Sequence, residues 1–205
     1  FDHEQATLRW AEAKLPPVIA QVHGADASVA EAAPRIIAIP ATTDSHPFGW
    51  VQDASPAEGV LDFTGLDRIA AGLLNHAPEA LLLVQVFLDS PPWWDAANAD
   101  QLVRFHGQIT APLGMWGRRR TFPDLASGRW AGGARDRLRA LVEHVEASPY
   151  AHRVIGYELL AGDLGAWRPW GAELDLGDEN TPLRLAAWRN YLVDKYRSFA
   201  ALRDA

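Results

Sequence analysis

The sequence predicts an α/β fold of the (β/α) TIM-barrel type, with about four βα units of a partial barrel. Three observations carry that expectation. Short apolar runs of strand length alternate with longer segments of helical periodicity. The run Ala80 to Asp89, ALLLVQVFLD, is apolar without clean alternation, as a strand covered on both faces is in a parallel sheet. No run is followed by GxGxxG or GxxxxGK[ST], the loops that mark the open doubly wound alternative. One compact domain over residues 1–205 is expected.

Taken in order, Gln5 to Leu15 has helical composition and stops at Pro16-Pro17, where a missing N–H and a fixed φ end a helix. VIAQVHG, Val18 to Gly24, reads as a strand, and RIIAIPATT, Arg35 to Thr43, as a second. Thr64 with Asp67 three residues on resembles a capping box, and Leu66, Ile69 and Leu73 follow on one helical face before Pro78. The third strand is Ala80 to Asp89. Asp100 to His106 suits a short helix, after which a glycine-, proline- and arginine-rich loop extends to about Gly133. Leu138, Leu141, Val142 and Val145 place a helix over roughly Ala134 to Ala147, and Val154 to Leu160 is the fourth strand. Thr181 caps a last helix with Pro182 at its first position, and Leu185, Trp188, Leu192 and Phe199 share one side of it.

Composition limits the function classes. A formal charge of −7 argues against a polyanion, because nucleic-acid binders need a surplus of lysine and arginine; the run Arg118 to Arg120 reads as a solvated loop. The absence of cysteine removes disulfides, thiolate metal sites and thiol catalysis, and leaves the compartment undetermined. No apolar run approaches the ~20 residues of a membrane helix, so a soluble protein without a membrane partner is expected. The chain opens on Phe1, which reads as a processed product or a fragment.

In a parallel α/β fold the ligand site forms at the carboxyl ends of the strands. That rule collects His23 after the first strand, His46 after the second, Asp89 with Trp93 and Trp94 after the third, and Asp163, Trp167 and Trp170 after the fourth. Aspartate, histidine and tryptophan together suit a sugar, whose hydroxyls want polar partners and whose axial C–H face packs on an aromatic plane. Trp10, Trp50 and Trp188 read as core filler instead. His23, His46 and Asp89 are expected to bind hydroxyls and no metal, because no HxH or HxxxH spacing gathers them. No cofactor is expected.

The stretch VIGYELLAGDLGAWRPWG, with SPYAHR before it and PLRLAAWRNYLVDKYRSFAAL after it, resembles the fourth-strand region of the (β/α)8 glycoside hydrolases related to the family 42 β-galactosidases. DFTGLDRI, ALLLVQVFLDSPPWW and ASGRW are similar to the second and third units of the same group. The resemblance implies a β-linked saccharide as substrate and two carboxylates, an acid/base after strand four and a nucleophile late in the barrel. It places the Asn-Glu pair of the group on Ala161 and Gly162, and the glutamate of a GEW-like loop on Ala166; none of these carries a carboxyl group.

Two carboxylates remain nearby as catalytic candidates. Asp163 lies in the loop, where an aspartate also caps turns. Glu158 lies within the strand, facing either the barrel interior or the helix layer, as a general acid or as a glutamate paired with an arginine such as Arg129. Two readings follow: a β-galactosidase-like hydrolase with an incomplete barrel, or a non-catalytic carbohydrate-binding domain that lacks the acid. Half a barrel would also expose strand edges and could self-associate.

Overall fold

The computed structural model describes residues 8–10, 13–15, 19–21, 35–42, 55–109, 121–162, 165–169, 177–178 and 180–204. The elements are β1 (Leu8–Trp10), β2 (Ala13–Leu15), β3 (Ile19–Gln21), β4 (Ile36–Thr42), α1 (Thr64–His76), β5 (Leu81–Phe87), α2 (Pro92–Ala97), α3 (Gly128–Glu146), β6 (Val154–Gly162), β7 (Ala166–Arg168), α4 (Pro182–Tyr196) and α5 (Phe199–Arg203). Strands β3 to β7 form one five-stranded sheet in chain order, and every neighbouring pair is parallel. With helices in the β4–β5 and β5–β6 connections, this is the α/β pattern of a partial (β/α) barrel, as the alternation in the sequence predicts. The chain divides into two compact units, Phe1–Pro91 with Asp136–Leu160, and Pro92–Arg135 with Ala161–Ala205.

In the first unit, β4 and β5 pair along their whole length, from Ile36 opposite Leu81 to Thr42 opposite Phe87. Side chains alternate across a strand, so Ile37, Ile39 and Ala41 share one face with Leu82, Val84 and Val86; all six are buried. Complete burial of each large aliphatic side chain among them stabilises the fold by about 1.5–3 kcal/mol. On the other face Ile36 and Leu81 pack with Leu83 and Ile155.

The pairing of β5 with β6 contains one slip: Leu82 lies opposite Val154, but Leu83 lies opposite Gly156. Ile155 is therefore the extra residue of a bulge, and everything after it changes face relative to an unbroken register. Beyond the slip Gln85 faces Glu158 and Val84 faces Tyr157. Tyr157 donates its hydroxyl to Glu146 at the end of α3 (2.8 Å). Glu158 thus takes the sheet face turned away from α3.

Several local expectations are corrected. Leu8–Trp10 and Ala13–Leu15 form an antiparallel strand pair, Leu8 opposite Leu15 and Trp10 opposite Ala13, where the composition suggests a helix. Helix propensity is worth only tenths of a kcal/mol per residue, and a segment cut short by Pro16-Pro17 is below the length at which a lone helix is stable. At α1 the predicted capping box does not form. Asp62 Oδ1 accepts both the backbone N–H (2.9 Å) and the hydroxyl (2.6 Å) of Thr64, and the Asp67 carboxylate bonds to Tyr150 and His144 instead.

Where a short helix is expected over residues 100–106, a 3-10 turn over Ala99–Gln101 is followed by a two-residue hairpin turn at His106 and Gly107. Helix α3 starts at Gly128, ahead of the expected Ala134, because Ser127 Oγ accepts the Trp130 N–H (3.0 Å) and donates to Gln101 Oε1 (2.7 Å). Thr181 does cap α4, accepting the Arg184 N–H. The apolar side of α4 is not core: Trp188 is 57% exposed and Leu185 is exposed as well, and Phe199, expected on the same helix, begins the separate α5 after Arg197 turns left-handed and is exposed too. Trp10 and Trp50 lie outside the residues whose side chains are described.

Candidate functional site

Four of the candidate residues, His23, His46, Asp163 and Trp170, lie outside the described residues. Of the others, Asp89 follows β5 directly and is buried (3% exposed), together with Ser90. Glu158 is exposed on β6, and its Oε2 accepts a hydrogen bond from Gln85 Nε2 (2.8 Å). Gln85 Oε1 in turn accepts from Gln21 Nε2 (3.0 Å). A polar ladder therefore runs across β3, β5 and β6 on the face away from α3. Each amide is oriented by the next, ending in a carboxylate with capacity for further donors. Glu158 is bonded to Gln85, whereas Arg129, considered as its partner from the sequence, donates to Asn98 (3.0 Å).

Sequence reasoning missed Gln21 and Gln85. The signal was present: each is a lone polar residue inside an apolar strand run, VIAQV and LLLVQVF. A polar side chain in such a run is stabilised by a hydrogen-bond partner, and partners across strands can be named only once the register is known.

The remaining tryptophans belong to the second unit. Trp94, on α2, is a core residue at 6% exposure, while Trp93 beside it is half-buried. Trp167 on β7 is 40% exposed and has φ +58°, a left-handed conformation that costs a bulky side chain about 1 kcal/mol or more. Its ring meets the buried Trp130 edge-on, with centroids 6.5 Å apart at 75°. A buried aromatic thus holds an exposed one in place.

Between β6 and β7 the backbone is crowded. Gly162 has φ +67°, and a Cβ there would overlap the carbonyl oxygen of Arg168 and come within 2.7 Å of Phe122 Cε2. Ala161 is fully buried, whereas Ala166, its partner on β7, is exposed. Of the three positions at which the resemblance expects Asn or Glu, then, Gly162 excludes a side chain, Ala161 is enclosed, and Ala166 alone is exposed.

A set of ionic and hydrogen bonds fastens this unit. Buried Asp124 accepts from Arg184 Nε (2.8 Å) and from the Ala126 N–H (3.0 Å). Arg184 Nη1 also donates to the Asp178 carbonyl (3.1 Å). The Asp178 carboxylate accepts the N–H groups of His106 and Gly107, at 3.1 Å each, at a turn where both residues have positive φ. Among the described residues no group of three His, Asp or Glu side chains is placed to hold a metal ion, and no helix is long and apolar enough to cross a membrane.

No protein-family model and no curated protein matches the chain. Solved structures do. The β-galactosidase of the psychrophilic Marinomonas ef1 superposes with a TM-score of 0.58 at 17% identity, over 91% of this chain and 26% of that one. The β-galactosidase of the Antarctic haloarchaeon Halorubrum lacusprofundi gives 0.53 at 17% identity, over 87% and 23%. That of Bacillus circulans sp. alkalophilus gives 0.54 at 16%, over 84% and 22%. The chain spans about a quarter of the length of these enzymes. At such identities the likeness is one of fold: the chain is a distant, partial structural match to β-galactosidase-like barrels.

Proposed function

We propose that the chain is the saccharide-binding part of a barrel of the family 42 β-galactosidase type that does not supply the acid/base carboxyl group after its fourth strand. The observation that carries this reading is Gly162. The position where the resemblance expects the glutamate has no room for a Cβ, and the alternative position, Ala166, ends at a methyl group. What speaks for binding is Trp167, an exposed ring held in a strained backbone conformation against Trp130. Strain of that kind persists where the surroundings enforce it, and it clusters at ligand sites. Trp93 and Trp170 complete the proposed ring-binding set, and His23 and His46 are proposed for hydroxyls; Asp89, at 3% exposure, is left out of it.

Titration of galacto-oligosaccharides against tryptophan fluorescence tests this. A saturable response is expected, reduced in Trp167→Ala and Trp93→Ala. A response to no saccharide, or one unchanged in both variants, overturns the reading.

A second reading, hydrolysis with Glu158 as acid or Asp163 as its loop alternative, rests on the Gln85–Glu158 hydrogen bond, which presents an oriented, exposed carboxylate. Turnover of a nitrophenyl β-galactoside that collapses in Glu158→Gln or Asp163→Asn would favour it over the non-catalytic one.

A further inference from the structure

A cavity of about 730 Å³ opens at the N-terminal ends of the strands of the first unit. Its walls come from α1, from Asp67 in its first turn to Asn75, from His144 near the end of α3 and from the segment joining α3 to β6; Pro78 stands just ahead of β5 and Arg153 immediately ahead of β6. The lining is largely hydrocarbon, with Leu74, Pro78, Ala147, Pro149 and Tyr150. That volume lies in the range of small-molecule sites.

Among the described residues that line this cavity one carries a carboxylate, Asp67. Its Oδ1 accepts the Tyr150 hydroxyl (2.6 Å) and lies 2.8 Å from His144 Nε2. An ionised carboxylate has no proton to give, so Nε2 is the donor. Both bonds end on the same oxygen. Two donors therefore fix the orientation of the group, while the acceptor sites of Oδ2 stay available to a third partner. The cation of the wall, Arg153, is committed to Glu79 through both Nη atoms, at 3.3 and 3.1 Å. Neither Nη atom of Arg153 bonds to Asp67, and both described donors to Asp67 end on Oδ1.

We propose that this cavity binds a small organic cation: a protonated amine on a hydrocarbon or aromatic body. The ammonium donates to Asp67 Oδ2, and the body lies against Leu74, Pro78 and Pro149. An anion of the same shape would meet the Asp67 charge at close range and be rejected. None of the residues of the saccharide reading takes part, so either proposal can fail alone.

The test compares phenethylammonium with hydrocinnamate, its anionic counterpart of similar size, by amide NMR shifts at about pH 8. Saturable shifts at Ala71, Asn75 and Ser148 are expected with the cation and none with the anion. Asp67→Asn keeps an acceptor for Tyr150 while removing the charge, and should weaken binding about tenfold or more. Leu74→Trp fills the cavity and should abolish binding with Asp67 intact, which decides the matter if Asp67→Asn does not fold. Equal binding of both probes, no saturable shift with the cation, or wild-type affinity in either folded variant overturns the proposal.

Discussion

Gly162 and Arg168 approach so closely that no side chain fits at Gly162: its Cβ would overlap the Arg168 carbonyl oxygen, and the backbone there is at φ +67°. Gly162→Ala should therefore destabilise the protein by at least about 2 kcal/mol, the sum of a left-handed alanine and a displaced strand. Urea unfolding midpoints check this, and a midpoint within error of wild type would show that the β6–β7 junction yields freely.

Ala166 makes the contrast. Its side chain is exposed on β7, so Ala166→Glu should shift stability by no more than about 0.5 kcal/mol. If both Ala166→Glu and Gly162→Ala melt with the wild type, crowding is not what separates the two positions.

Tyr150 and Tyr157 each donate a hydroxyl to a carboxylate, Asp67 and Glu146 respectively. Burial first, and then the hydrogen bond and negative charge of the partner, hold both phenols well above the ordinary tyrosine value. The folded state therefore keeps these protons more tightly than the unfolded chain does. The stabilisation is present in full below about pH 10 and is lost as pH rises beyond it. Stability measured between about pH 9 and pH 11 should fall more steeply in wild type than in the Tyr150→Phe, Tyr157→Phe double variant. Parallel slopes would contradict the assignment. At neutral pH, Tyr150→Phe alone should cost about 1 kcal/mol, since Asp67 is partly solvated.

Ser127 starts α3 with two bonds, one from the Trp130 N–H and one to Gln101 Oε1. Ser127→Ala should cost about 1–2 kcal/mol in a thermal melt and lower hydrogen-exchange protection in the first turn of α3. Unchanged protection at Trp130 would mean that the helix start is secured by other contacts.

Much of the fold is legible from the chain itself. The strand-length apolar runs at Ile36–Thr42 and Leu81–Phe87, the helix over Thr64–His76, and the Thr181-Pro182 start of α4 are each written in a few adjacent residues. So is the lack of a carboxylate at Ala161, Gly162 and Ala166. Period, caps and prolines act locally, and local signals survive without knowledge of the neighbours.

The tertiary structure decided the rest. The bulge at Ile155 selects the face of Glu158 and joins it to Gln85 and Gln21; a slip of one residue would send it toward the helix layer. Asp67 reads as half of a capping box, but it serves Tyr150 and His144, about eighty positions along the chain. Trp188 sits on a core-like stripe and is exposed, because a helical face is buried only when another element covers it. In each case the outcome depends on which distant residues are paired, a quantity that no window of the sequence contains.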